Sequence, residues 1–241
     1  MAAMDIVKTE KLASRADEIP EQAIISSITA AVSEQRLPAG TKLGEQMLSD
    51  IFKCNRANVR RALSTLATMH VVQLRPNRGA FVSTPSPKEA CDVFEARRTI
   101  ERTLARSVIK NICLQDISDM RDTIAAEANA RAQGDKPAEL RLSRAFHMHL
   151  ATIADNQVLE RFLSELTLRT TLIIGLYNKV GSSSCAEDEH LGIVEAIEER
   201  DEERLLLLID RHLNHLEAGL NFQHSAEPFF TLAEQLASTA D

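Results

Sequence analysis

The chain has 241 residues, 44% hydrophobic and 26% charged, with a formal net charge of -7. This balance suits one large or two modest globular domains, and eight Gly and seven Pro are too few for a fibrous or low-complexity chain. No run approaches the ~18 apolar residues of a membrane-spanning helix.

The first twenty residues lack a continuous apolar core, so no secretory signal is expected. Cys54, Cys91, Cys113 and Cys185 are scattered without paired spacing, which points to reduced thiols in the cytoplasm. Charge is uneven along the chain. From Glu21 to Thr84 there are eight basic and four acidic residues, and from Lys88 onward 17 basic and 27 acidic ones. A basic N-terminal third on an acidic body suggests a polyanion-binding module attached to something else.

After Pro20, Ile24, Ile25, Ile28, Ala31 and Val32 fall at helical spacing, and Pro38 and Gly40 then turn the chain. A short helix is expected through GEQMLSDIF, with Met47, Leu48 and Ile51 inward. CNRANVRRALSTLATM predicts the next helix, with Asn55 as its cap and Val59, Ala62, Leu63 and Leu66 as one apolar face. Arg56 and Arg60 share another face near its start, with Ala57 and Arg61 close by. Such a helix fits the major groove, where arginine pairs with guanine or phosphate. VVQLR, PNRG and AFVST then read as strand, turn, strand, placing Arg75 and Arg78 near the tip of a basic hairpin.

The run RLPAGTKLGEQMLSDIFKCNRANVRRAL, followed by RPNRGAFV, resembles the DNA-binding domain of the GntR family of bacterial transcription regulators. The resemblance implies a winged helix-turn-helix in which Arg56 and Arg60 contact operator bases and phosphates, Gly79 permits the wing turn and Arg78 is a wing-tip contact. Gln46 stands where the family often has a DNA-touching arginine, and with Asn55 and Ala57 it completes the expected DNA-binding set. Arg61 replaces a common glutamate and His70 a common glycine.

TPSPK at Thr84–Lys88 reads as a linker. Residues 1–19 are read as a tail, 20–84 as the DNA-binding domain, 85–88 as the linker and 89–241 as a second domain. The remainder shows six or seven helical segments and no alternating strand pattern, so the fold class is mainly α, a winged helix-turn-helix with a small β-hairpin wing followed by an all-α bundle. It contains no glycine-rich phosphate loop, GxSxG or HExxH. His147, His190 and His212 lie on the inward faces of three different helices, and three converging imidazoles can hold a divalent metal, zinc or alternatively nickel.

The segments CDVFEARRTIE, RAFHMHLATIADNQVL, EDEHLGIVEAIEERDEE and RHLNHLEAGL resemble the FCD sensor domain of the GntR family. The resemblance implies a metal held by one aspartate and three histidines beside a pocket for an organic acid. His147, His190 and His212 match the histidines, whereas Ser143 occupies the position of the aspartate. His215 can line the pocket. Arg97 matches a family arginine, and with Arg169 it is the candidate partner of an effector carboxylate.

The function expected from these readings is a homodimeric DNA-binding repressor of cytoplasmic location, with duplex operator DNA and a carboxylic acid as partners. Val93, Ile100, Leu104, Val108, Met120 and Ile124 are the expected dimer face. The alternative is a metal-dependent enzyme using the three-histidine centre; Glu187 and Glu189, read as solvated, leave it without a placed general base.

Overall fold

Apolar spacing in the first basic segment produces α1 (residues 21–33), with Ile24, Ile28, Ala31 and Val32 buried and Ile25 partly so. The computed structural model describes residues 21–178 and 189–223; the expected N-terminal tail, Cys185 and Glu187 lie outside them. The described residues fall into two units. One contains α1 up to Ala31 and Ala39–Ser83, and the other contains Val32–Pro38 and the chain from Thr84.

In the first unit, β1 (Lys42–Leu43) precedes α2 (Glu45–Ile51) and α3 (Arg56–Thr68), and β2 (Val72–Arg75) and β3 (Gly79–Val82) form the hairpin. The hairpin gains a third strand that the sequence reading lacked. β1 pairs antiparallel with β3, giving the order β1-β3-β2. Two residues are too few to show alternation, and only Leu43 of this strand turns inward. α2 also departs from expectation: Leu48 is buried, but Met47 and Ile51 are 46% and 37% exposed. A seven-residue helix buries little more than one position per turn. Val59, Ala62, Leu63 and Leu66 of α3 are buried as read, and the Asn55 side chain accepts the Asn58 N–H at 2.9 Å.

The second unit is helical: α4 (Pro87–Asn111), α5 (Leu114–Ala132), α6 (Lys136–Ile153), α7 (Gln157–Tyr177), α8 (Glu189–Glu198) and α9 (Glu202–Ala218). α4 begins inside the segment read as linker. Ser86 and Glu89 form a capping box around Pro87 at the first turn, and proline suits that turn because its missing N–H has no partner there anyway. Asp135, Asn156 and Asp201 cap α6, α7 and α9. α4 packs against α6, α7 and α9, while α8 lies on α5 and α9. The core gathers Phe94, Phe146, Leu163, Ile193, Ile197 and Leu213.

This packing takes up four of the six residues of the expected dimer face, while Ile100 and Ile124 stay partly exposed. Val93, Leu104, Val108 and Met120 are at most 2% exposed, so they hold the bundle together and offer no surface to a second chain. An apolar stripe on a long central helix serves its own domain first, because its neighbours in the chain reach it at the lowest entropic cost.

Candidate DNA interface and histidine cluster

α2 and α3 present the predicted DNA-facing residues to solvent. Gln46, Asn55, Arg56, Ala57, Arg60, Arg78 and Gly79 are all exposed. They are not loose. Arg56 donates to Gln46 Oε1, at 3.0 Å from Nε, and Gln46 Nε2 donates to Asp50 at 2.7 Å. Arg60 Nε donates to Glu45 at 2.8 Å. Arg61 turns the other way, to Glu21 of α1 and to the buried Asn58, so it braces the fold. Asn55 has a structural duty through its Oδ1, leaving its amide nitrogen outward. In the wing, Asn77 and Gly79 have φ of 59° and 93°, and Arg78 N–H closes the turn on Arg75 C=O at 3.0 Å. The Arg75 guanidinium lies over the Phe81 ring, 4.5 Å from its centroid, and Arg78 projects from the tip. His70, where glycine is common in the family, has φ of 56°, the left-handed conformation glycine adopts without strain.

In the helical unit, α6, α8 and α9 bring His147, His190 and His212 together. All are at most 3% exposed, and one ring nitrogen of each lies within 4.8 Å of the others. Every Nδ1 faces a carboxylate: His147 to Glu101 at 2.9 Å, His190 to Glu127 at 2.8 Å and His212 to Glu189 at 2.8 Å. A carboxylate accepts, so each Nδ1 carries a proton, and in the neutral form of such a ring Nε2 keeps its lone pair. The Nε2 atoms of His147 and His212 are 3.2 Å apart, and the buried Nε2 of His190 has no partner.

Burial pushes the His147 imidazole down to about 4 and that of His212 to about 3, so both are neutral near pH 7. Lone pairs therefore face one another with no proton between them, an arrangement that favours a cation. Tetrahedral zinc with Zn–N of about 2.0–2.1 Å would place two ligating nitrogens about 3.3–3.4 Å apart, close to the observed pair. The residues thus fit a divalent metal. The carboxylates behind them are the partners that fix imidazole orientation and raise its donor strength.

Those carboxylates are integrated into the bundle. Burial alone would raise the Glu101 carboxyl, but Arg97 and His147 outweigh it and hold it well below the usual range. Arg97 pairs with Glu101 inside the bundle, at 3% exposure. Glu127 receives Arg131 at 3.4 Å. Glu189 departs from the solvated state expected of it: half-buried, it accepts from both His212 and His215, each at 2.8 Å. His215 is itself exposed.

A cavity of about 40 Å³ lies beside His147. Ser143 and Arg97 border it, with Arg144, Thr167, Thr170 and Thr171 also on its walls. Arg169 is not on those walls; it lies 3.6 Å from Glu165, four residues earlier on α7. The inward guanidinium is Arg144, which donates through Nη2 to Ser164 Oγ at 2.9 Å, while its buried Nε has no partner. Sequence reasoning missed Arg144, although it adjoins Ser143, and it missed the role of Glu101. Glu189 adjoins His190 in sequence yet serves His212. Nothing in the sequence near Glu127 distinguishes it.

Comparison with known proteins agrees with this architecture. Residues 20–82 match the bacterial regulatory proteins of the gntR family, and residues 92–215 match the FCD domain. The chain is 25% identical over 178 residues to the HTH-type transcriptional repressor RspR of Escherichia coli strain K12, covering 73% of this chain and 78% of that one. It is 24% identical over 188 residues to the HTH-type transcriptional regulator LutR of Bacillus subtilis strain 168, covering 69% and 85%. The solved structure of E. coli McbR/YncC superposes with a TM-score of 0.74 at 14% identity, covering 83% of this chain and 95% of that one. Arginines displayed on a capped helix and wing, joined to a helical domain of this kind, place the chain in the GntR family with an FCD domain: it is a DNA-binding transcriptional regulator and not an enzyme.

Proposed function

We propose that the chain is a homodimeric repressor whose operator affinity is set by a small organic acid bound beside a divalent metal in the histidine cluster. The observation that carries this reading is the convergence of three buried imidazoles whose Nδ1 atoms are all committed to carboxylates. His147, His190 and His212 would hold zinc, or nickel, through Nε2, and the bound ion would supply a fixed positive charge for an acid to meet. Arg97 and Arg144 border the cavity and attract a carboxylate, and Ser143 and the threonines offer hydroxyls to its oxygens.

On the DNA side, Arg56, Ala57, Arg60 and Gln46 would read the major groove, while Arg78 at the wing reaches backbone or the neighbouring groove. One such module reads one half-site, hence two copies on a palindrome. The name of RspR as a repressor supports the direction of control. The acid changes DNA affinity by binding one arrangement of the dimer better than the other.

Footprinting on the DNA that flanks the protein's own gene, with zinc and with or without a panel of small acids, tests this reading. A protected palindrome released by at least one acid is expected. Protection indifferent to metal and to every acid would defeat it.

A further inference from the structure

This inference rests on the metal reading above and asks what completes the coordination sphere. Three neutral nitrogens leave a divalent ion short of an anionic ligand. Glu101, Glu127 and Glu189 are all turned to the Nδ1 side of the rings. Among the described residues, no Cys, Asp or Glu joins the three histidines in the cluster, and the walls of the adjoining cavity carry no acid.

Those walls carry unbalanced positive charge instead. Arg97 is matched by Glu101. Arg144 has only the neutral Ser164 hydroxyl for Nη2 and nothing for its buried Nε. Burial and then the charge of Arg97 make its cationic form costlier than usual. Loading a double positive charge next to Arg144 without an anion would add to that cost, because a buried charge requires a partner. A small carboxylate offers both missing elements at once: one oxygen for the metal and a second for the guanidinium fork. A cavity of about 40 Å³ admits an acid of a few heavy atoms.

We propose that the histidine cluster retains its metal only jointly with a small carboxylate anion, which supplies the anionic ligand that no described side chain provides and is held at its far side by Arg144 and Ser143. Metal and acid then bind as one unit, each raising the affinity of the other by the same factor. The regulator senses their coincidence.

The test measures zinc affinity of the full chain by competition with a chromophoric chelator. Buffers free of carboxylate are compared with saturating acetate, glycolate or malonate, with acetamide as the neutral control, after correction for zinc–acid complexes in solution. Zinc should bind at least about tenfold more tightly with an acid present and unchanged with acetamide. Ser143→Asp, one helical turn from His147, should bind zinc tightly without acid and lose the response. Arg144→Met, relieved of the cation that opposes metal loading, should bind zinc in acid-free buffer more tightly than the unaltered protein while losing most of the enhancement, and its melting profile reports that it folds. Equal zinc affinity in every buffer for the unaltered protein would overturn the coupling and leave the metal site standing; no zinc uptake in any buffer would overturn both.

Discussion

Arg60 in the DNA-free molecule pairs with Glu45, and Arg56 with Gln46, at solvent-exposed positions. Exposed pairs of this kind contribute about 0–1 kcal/mol, so exchanging them for phosphate or guanine is inexpensive. Arg56→Ala or Arg60→Ala is expected to weaken specific operator binding by about 1–3 kcal/mol while leaving the melting temperature nearly unchanged. Fluorescence anisotropy and calorimetry on the same samples separate the two effects. At the histidine cluster, Glu127→Gln removes the carboxylate behind His190 and should lower metal affinity by about 10–100-fold, read by chelator competition. The cluster also predicts a pH dependence for metal-free protein. Unfolded imidazoles titrate near 6.5. His147 and His212 in the folded state do so at about 4 and about 3. Below pH 6.5 the unfolded chain takes up protons that the native one refuses, so stability should decline as pH falls from 6.5 toward 4. Melting scans across that window check it, and a flat profile would contradict the burial of these rings.

The wing and the helix before it depend on local conformation more than on burial. Gly79 sits at φ 93°, with nothing within 4 Å of the position a Cβ would take. Gly79→Ala therefore meets no clash, and its penalty is backbone strain of about 1–2 kcal/mol. The expected outcome is weaker operator binding together with a lower melting temperature, unlike the arginine variants. Asn55 caps its helix from an exposed position. Its Oδ1 caps α3, a role an aspartate would keep while repelling DNA. These elements were legible because their signals are local: a cap, an apolar face at helical spacing, a proline and glycine around a turn. Strand β1 was not, since two residues acquire strand character only when β3 lies beside them.

Across the whole molecule, the contrast between a basic N-terminal third and an acidic remainder predicts strongly salt-dependent operator binding. The logarithm of affinity should fall linearly with that of salt concentration, with a slope near -0.9 per phosphate neutralised. Titrations at several ionic strengths measure it, and a shallow slope would remove phosphate contact as the source of affinity. The long helices of the second unit carry more apolar surface than one interface needs. Val93, Leu104 and Val108 were expected to face a second chain, and the fold commits them to the core.

The sequence by itself determined the helices and the hairpin, the exposed arginines and the three inward histidines, because each follows from short-range periodicity or from a motif a few residues long. Only the tertiary structure decided which carboxylate stands behind which imidazole, that Arg144 and not Arg169 borders the cavity, and which apolar face is already occupied. Glu127 and His190 are 63 residues apart, and Glu101 and His147 are 46 apart. No periodicity links positions at such separations. Their meeting is set by how α4, α5, α6 and α8 pack, and packing is a property of the assembled core that no local stretch of chain encodes.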